Sequence, residues 1–195
     1  MNSSIHSNTK FRAHFISNGN VKKNSLLKNS YKEAVSFVEL DKNSYCDIKA
    51  ILKLNKKWKD SLLEDIIYHL TTFWGKKSSI YFLTTQKNNF ARLNTNKILG
   101  TVTIYPEEEN RYCIDFLQVN PKHINNKQNK SKAYNVFQPQ YEYCGSEILN
   151  CLKRLFPQKD LETIPISNTI DFYKKNGFVP KGQNSNRYIY KAPDA

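Results

Sequence analysis

No stretch of this 195-residue chain approaches the roughly 18 consecutive apolar residues of a membrane-spanning helix. Its first residues, Met1-Asn2-Ser3-Ser4-Ile5-His6-Ser7, lack the apolar core of a secretory signal peptide. Both absences lead to the expectation of a cytoplasmic protein. The four cysteines, Cys46, Cys113, Cys144 and Cys151, form no Cys-x-x-Cys pair, and the four histidines are scattered. Zinc needs about four ligands with local pairs, so no metal is expected. The thiols read as small buried or half-buried groups in a reducing compartment, not as a disulfide framework. Internal repeats are missing, as are helix-turn-helix and RNA-recognition signatures.

Acidic charge is also scarce. Lys and Arg number 30 against 17 Asp and Glu, a net charge of +13, and no acidic residue precedes Glu33. Such a surplus implies an anionic partner. The phosphates of a nucleotide cofactor, RNA, an acidic protein and a membrane surface all remain open. The 39 % apolar content is enough for one core in one domain. Residues 1–33 are polar and basic and are expected to form an irregular N-terminal extension, with the domain spanning 34–195.

Residues 34–40 alternate like a first strand. Asp41 to Ser44 offers turn and cap chemistry, and 45–58 carries Ile48, Ile51, Leu52 and Leu54 at near-helical spacing. A second helix is expected over 61–74, where Ser61 and Glu64 read as a capping box. Trp58, Tyr68, Phe73 and Trp74 in these two helices read as core packing. Strands are expected at 80–84, 97–105 and 112–119, with a hairpin loop at 86–96 and a turn at 107–110. A long polar connection, 120–141, holds four lysines and no acidic residue. A helix at 145–156, a strand at 161–166 disturbed by Pro165, and a helix at 168–176 follow. Strands at 178–179 and 187–191 close the chain. Consecutive strands favour an antiparallel meander, and the strand–helix–strand step from Tyr112 to Ile166 favours a parallel crossover. The expected fold is α/β: a mixed, mostly antiparallel twisted sheet flanked by helices.

Asp171-Phe172-Tyr173-Lys174-Lys175-Asn176-Gly177-Phe178 reads as a helix stopped by a glycine able to adopt φ > 0. Together with Cys113-Ile114-Asp115-Phe116-Leu117-Gln118-Val119-Asn120-Pro121 upstream, it resembles the GNAT superfamily of acyl-CoA-dependent N-acetyltransferases. The resemblance runs over about residues 34–191. It implies that the strand 112–119 splays from the next and leaves a V-shaped cleft for acyl-CoA. The pantetheine would pair with the strand's free edge at Leu117, Gln118 and Val119. A pyrophosphate loop patterned Arg/Gln-x-x-Gly-x-Gly/Ala is matched by Gln140-Tyr141-Glu142-Tyr143-Cys144-Gly145, with Ser146 following. Amides and the helix dipole attract phosphate there, so Gln140, Gly145 and Ser146 are the implied contacts. Tyr143 stands where the pattern has its first glycine. Either Lys127, Lys130 and Lys132 help to hold the phosphates, or CoA binding is weakened.

Tyr173 matches the tyrosine that protonates the departing CoA thiolate as general acid. Seven residues earlier, where the family often has asparagine, this chain has Ile166. Asn168 nearby is a candidate to cap the helix or touch the cofactor. Asp115 is the candidate general base, its pKa raised if buried. His123 and Glu107 to Glu109 are less specific alternatives. The implied activity is direct transfer of an acetyl group from acetyl-CoA to a primary amine on a small molecule or protein, through a tetrahedral intermediate. Backbone amides of the fourth strand would polarise the thioester carbonyl. Two alternatives stay open. One is acylation of an aminoacyl-tRNA, which predicts salt-sensitive RNA binding. The other is a GNAT-derived binding module without turnover, which Tyr143 favours and Tyr173 opposes. Acceptor, acyl chain and oligomeric state are not encoded legibly.

Overall fold

Short runs rich in β-branched and aromatic residues become strands in a computed structural model that describes residues 13–24, 30–58, 77–124 and 140–193. The strands are β1 (His14–Lys23), β2 (Tyr31–Glu39), β3 (Ser79–Thr84), β4 (Ile98–Glu108), β5 (Arg111–Val119), β6 (Tyr141–Glu142), β7 (Asp160–Thr163), β8 (Val179–Pro180) and β9 (Tyr188–Tyr190). The helices are α1 (Tyr45–Trp58), α2 (Cys144–Leu155) and α3 (Ile170–Lys175), with 3-10 turns at Pro121–His123 and Ser167–Thr169. Among the described residues the strands form one nine-stranded sheet, ordered β6-β1-β2-β3-β4-β5-β7-β9-β8. Every neighbouring pair is antiparallel except β5 with β7. The expected mixed, mostly antiparallel α/β sheet is therefore present.

Alternation along the strands divides the core between the two sheet faces. Phe37, Leu83 and Leu99 join Ile148, Leu149 and Leu152 of α2 in one cluster, with Tyr173 and Phe178. Val38, Phe82 and Ile98 join Ala50, Ile51, Leu54 and Trp58 of α1 in the other. Covering both faces explains why β3 reads as a continuous apolar run and not as an alternating one. Among the described residues no helix is long and apolar enough to cross a membrane.

The expected N-terminal extension is overturned in part. His14–Lys23 is a strand paired along its length with β2, and the expected boundary at 33/34 falls inside β2. The sequence HFISNGNVKK hides it because few of its residues are buried. Its order comes from the backbone ladder to β2 and from the β6 pairing, neither of which needs apolar side chains. The strand expected over 161–166 stops at Thr163, ahead of Pro165, which has no N–H to donate. The helix expected over 168–176 is divided into the 3-10 turn and α3. The helix expected at 61–74, with Tyr68, Phe73 and Trp74, lies outside the described residues, as do 125–139 with Lys127, Lys130 and Lys132. Cys113, Cys144 and Cys151 are buried free thiols, and Cys46 is exposed.

The turn before α1 illustrates cap chemistry with a pH signature. Asp47, in the first turn of α1, is fully buried and accepts the N–H of Asp41 at 3.1 Å. Asp41 in turn accepts the N–H of Asn43 at 2.8 Å. Burial, aided by the nearby Asp41 carboxylate, pushes Asp47 up to about 6. A carboxyl with a raised folded pKa favours the folded state most when protonated. Its contribution is complete below the unfolded value of about 4 and is lost as pH rises through about 6. Asp47→Asn keeps an acceptor and removes the charge. It is expected to stabilise the protein at pH 7 by at most about 3 kcal/mol and to leave stability unchanged near pH 4. Urea midpoints of both proteins across that range check this.

Candidate functional site

Pairing of β5 with β7 covers only Arg111 to Ile114, which face Asp160 to Thr163. On its other side β5 stays paired with β4 as far as Val119 opposite Gly100. From Asp115 onward, therefore, one edge of β5 carries no strand among the described residues. Asn120 donates its N–H to the Leu99 carbonyl at 2.8 Å. Hydrogen bonding alternates along an antiparallel pair. Phe116 and Gln118 accordingly turn their backbone groups to β4, and Leu117 and Val119 turn theirs to the open edge. The Leu117 and Val119 side chains pack on the α2 face.

Thr163, opposite Ile114, marks the fork where the two strands part. Tyr173 reaches this fork from α3. Its phenol lies beside the Thr163 side chain. The ring is held edge-on by Phe172 at 5.1 Å and Phe178 at 5.3 Å. Burial raises the phenol pKa against the opposing pull of the neighbouring Thr163 hydroxyl. A proton therefore stays on Tyr173 throughout the neutral range. The helix ends as its sequence suggests: Gly177 adopts φ 83°, and Phe178 donates its N–H to the Tyr173 carbonyl at 3.1 Å.

The N-terminus of α2 abuts the open end of the same edge. A Cβ on Gly145 would lie 3.4 Å from Val119 Cγ2 and 3.0 Å from Phe172 Cζ, so a side chain here would press the Phe172 ring by a few tenths of an ångström where helix, strand and α3 meet. Glu147 makes the first helical bond, donating to the Tyr143 carbonyl at 2.9 Å. The N–H groups of Cys144, Gly145 and Ser146 precede that bond and have no partner within the helix. Tyr143 occupies the N-cap position with φ 64° and ψ 17° and makes no side-chain cap bond. This is the left-handed conformation that glycine adopts freely and tyrosine adopts at a cost of about 1–2 kcal/mol. Its ring is 65 % exposed, away from the core. The approach to α2 is pinned to β1: Lys22 and Asn24 contact Glu142 at 3.0 and 2.7 Å. Those hydrogen bonds hold the Glu142 carboxyl below the usual range.

Five of the expected site residues thus converge: Tyr173, Leu117, Val119, Gly145 and Ser146. Gln118 lies between two of them but is buried and turned to β4. Gln140 is exposed, and its carbonyl accepts the N–H of Asn24 at 2.9 Å. Asn168 is exposed in the 3-10 turn and caps no helix through its side chain. Asp115 stands at the first position of the open edge, beside a bulge in the β4–β5 pairing, and is exposed. The burial considered for it from the sequence is not there. His123 packs edge-on against Tyr141 at 5.1 Å, and burial with the neighbouring Lys122 charge lowers its pKa. Glu107 and Glu108 are engaged by Arg111 and Arg187 at the closed end of the sheet. Thr163 is the residue that sequence reading missed. Nothing local sets it apart, because its role exists only through the parallel register. Among the described residues no group of His, Cys, Asp and Glu is placed to hold a metal ion.

No family model and no curated protein matches the chain. Solved structures do. GCN5 from Tetrahymena shares 14 % identity over 80 % of this chain and 96 % of its own, with a TM-score of 0.49. Ard1 from Thermoplasma volcanium shares 13 % over 80 % and 94 %, with a TM-score of 0.45. A GNAT family acetyltransferase from Elizabethkingia anophelis, with acetyl-CoA bound, shares 14 % over 76 % and 78 %, with a TM-score of 0.42. Likenesses this distant carry no weight for activity, and the fold rests on the sheet itself. The sheet is mostly antiparallel, and its parallel pair parts ahead of a helix N-terminus, the arrangement that the resemblance to the GNAT superfamily implies.

Proposed function

We propose that the chain transfers an acetyl group from acetyl-CoA to a primary amine. One observation carries the reading: a protonated phenol at the fork of β5 and β7, a strand edge at Leu117 and Val119 that carries no strand among the described residues, and the N-terminus of α2 lie together. The residues fit the cofactor in that order. The backbone groups of Leu117 and Val119 would pair with the pantetheine as an added strand would. The N–H groups of Cys144, Gly145 and Ser146, with the α2 dipole, suit a pyrophosphate. Bound acetyl-CoA supplies the acyl group and a thiolate leaving group. Tyr173 holds a proton at its phenol oxygen, available to that thiolate. Asp115, at the first position of that edge, is the proposed acceptor of the amine proton. Gln118, Gln140 and Asn168 stay in the proposed binding set with weaker geometric support.

The binding-module reading draws on the left-handed Tyr143 at the loop. Calorimetric titration with acetyl-CoA, at low and moderate salt, tests both readings, and saturable binding near unit stoichiometry is expected. Tyr143→Gly is expected to raise stability by about 1 kcal/mol, roughly 2–4 °C in Tm, by relieving the left-handed tyrosine. It is also expected to bind acetyl-CoA at least as tightly. A gain in stability with loss of binding would place the Tyr143 ring among the cofactor contacts.

A further inference from the structure

A groove of about 930 Å³ lies between α1 and the loop joining β3 to β4, on the face of the sheet opposite α2. Lys49, Lys53, Lys56, Lys57 and Arg92 line it, and among the described residues no acidic one does. All five cations are exposed. The four lysines recur at four, three and one residues along α1, so they form a stripe roughly 12 Å long on one side of the helix. Like charges at this spacing repel and weaken a helix. The one acidic residue of α1, Asp47, is buried away from them.

The opposite wall is built in advance. Gln86, nearly buried, donates to the Asn88 and Asn89 carbonyls at 3.0 and 2.8 Å and accepts the N–H of Asn94 at 2.9 Å. Asn94 accepts the N–H of Asn96 at 3.0 Å. Lys57 ties the walls together through Thr95, at 3.1 Å, and Asn96. Tyr45 stands at the rim, 76 % exposed, with Lys49 Nζ 5.6 Å from its ring centre. An acidic peptide would call only for the cations. An exposed aromatic ring beside a cationic stripe, facing amide side chains, matches what a single-stranded nucleic acid needs. Lysines meet its phosphates, a flat ring stacks on a base, and amides serve base and sugar edges.

We infer that the α1 groove is a binding site for single-stranded nucleic acid, separate from the fork of β5 and β7. Lys49, Lys53, Lys56 and Arg92 contact the backbone phosphates, and Tyr45 stacks on a base. Lys57 keeps the loop against the helix. The shared chemistry is the phosphodiester backbone with its bases, so both RNA and DNA strands are candidates.

The test is fluorescence anisotropy of the full chain with labelled oligouridylate, oligothymidylate of equal length, and oligoglutamate, each across a range of salt. Saturable oligonucleotide binding is expected, and comparing the two oligonucleotides tells RNA from DNA. Lys49→Ala/Lys53→Ala/Lys56→Ala should cost about tenfold or more in affinity at low salt. It should reduce the salt slope by about 2, since each phosphate contact on a single strand contributes roughly 0.7. A control of equal charge change on other exposed lysines, Lys32→Ala/Lys77→Ala/Lys175→Ala, should lose far less. Tyr45→Ala should lower affinity about fivefold or more with the slope unchanged, the signature of stacking. Thermal melts verify that each variant is folded, and acetyl-CoA titration of the triple variant should match the parent. The inference is overturned by absence of oligonucleotide binding, by equal losses in the control, or by oligoglutamate binding as tightly. Failure of acetyl-CoA titration alone bears on the acetyltransferase reading and leaves the groove untouched.

Discussion

Replacing Tyr173 with phenylalanine is expected to lower acetyl transfer about a hundredfold or more while leaving acetyl-CoA affinity nearly unchanged. The ring survives the substitution, so its edge-on contacts with Phe172 and Phe178 persist. Only the phenol oxygen is lost, beside Thr163 at the fork of β5 and β7. Losing one buried polar atom there should lower stability by no more than about 1 kcal/mol. A phenol that only packs would therefore show a small drop in Tm and unchanged turnover. A proton donor would show the same drop in Tm and a collapse in turnover. Thiol release from acetyl-CoA across an amine panel, read beside a thermal melt, separates the two. Retained turnover would remove Tyr173 from the mechanism.

The largest effect on stability is expected at Glu162. This carboxylate on β7 is fully buried, next to Thr163 in the chain, and three cations converge on it. Arg187 lies at 2.6 Å, Lys181 at 2.7 Å and Arg111 at 2.9 Å. Burial by itself would raise its pKa. The bonds from Lys181 and Arg187, with the charge of Arg111, outweigh that and hold it below the ordinary value. A depressed folded pKa stabilises the fold above the unfolded value, and this stability is lost as pH falls through the folded value. The sign is opposite to that of Asp47. Glu162→Gln keeps the shape but leaves the cations without their shared anion. Breaking a buried ion pair from one side costs about 3–5 kcal/mol, and the partial exposure of Lys181 and Arg187 puts this case at the lower end. The corresponding drop in Tm is roughly 6–12 °C, with much less acid sensitivity remaining. A drop under about 1 kcal/mol in urea denaturation would mean that the cations resolvate freely. Because the cluster ties β5, β7 and β9 together just below the fork, the loss should also blunt transfer.

These two residues show different degrees of legibility. Tyr173 stands in a local motif: a helix, an aromatic pair and a glycine stop whose φ of 83° the structure bears out. Glu162 was only one acidic residue in an expected strand, because its partners come from β5 and from the stretch between β8 and β9. Tyr143 falls between the two. The sequence marked it as a side chain in a glycine position, and the structure gives it a glycine's backbone conformation.

Local patterning by itself determined the apolar stripes of α1 and α2, most of the strands and the mixed class of the sheet. Periodicity of burial is written residue by residue, and a helix such as Tyr45–Trp58 needs no distant partner to declare its faces. The polar strand β1 escaped that code because its order comes from backbone pairing. Tertiary structure alone decided where β5 and β7 part, that Thr163 meets Tyr173 there, and that Gly145 brings α2 against Val119. It also set the α1 lysines opposite the 92–96 loop. Each of these depends on register or packing between segments far apart in the chain, and no local run of residues carries that information.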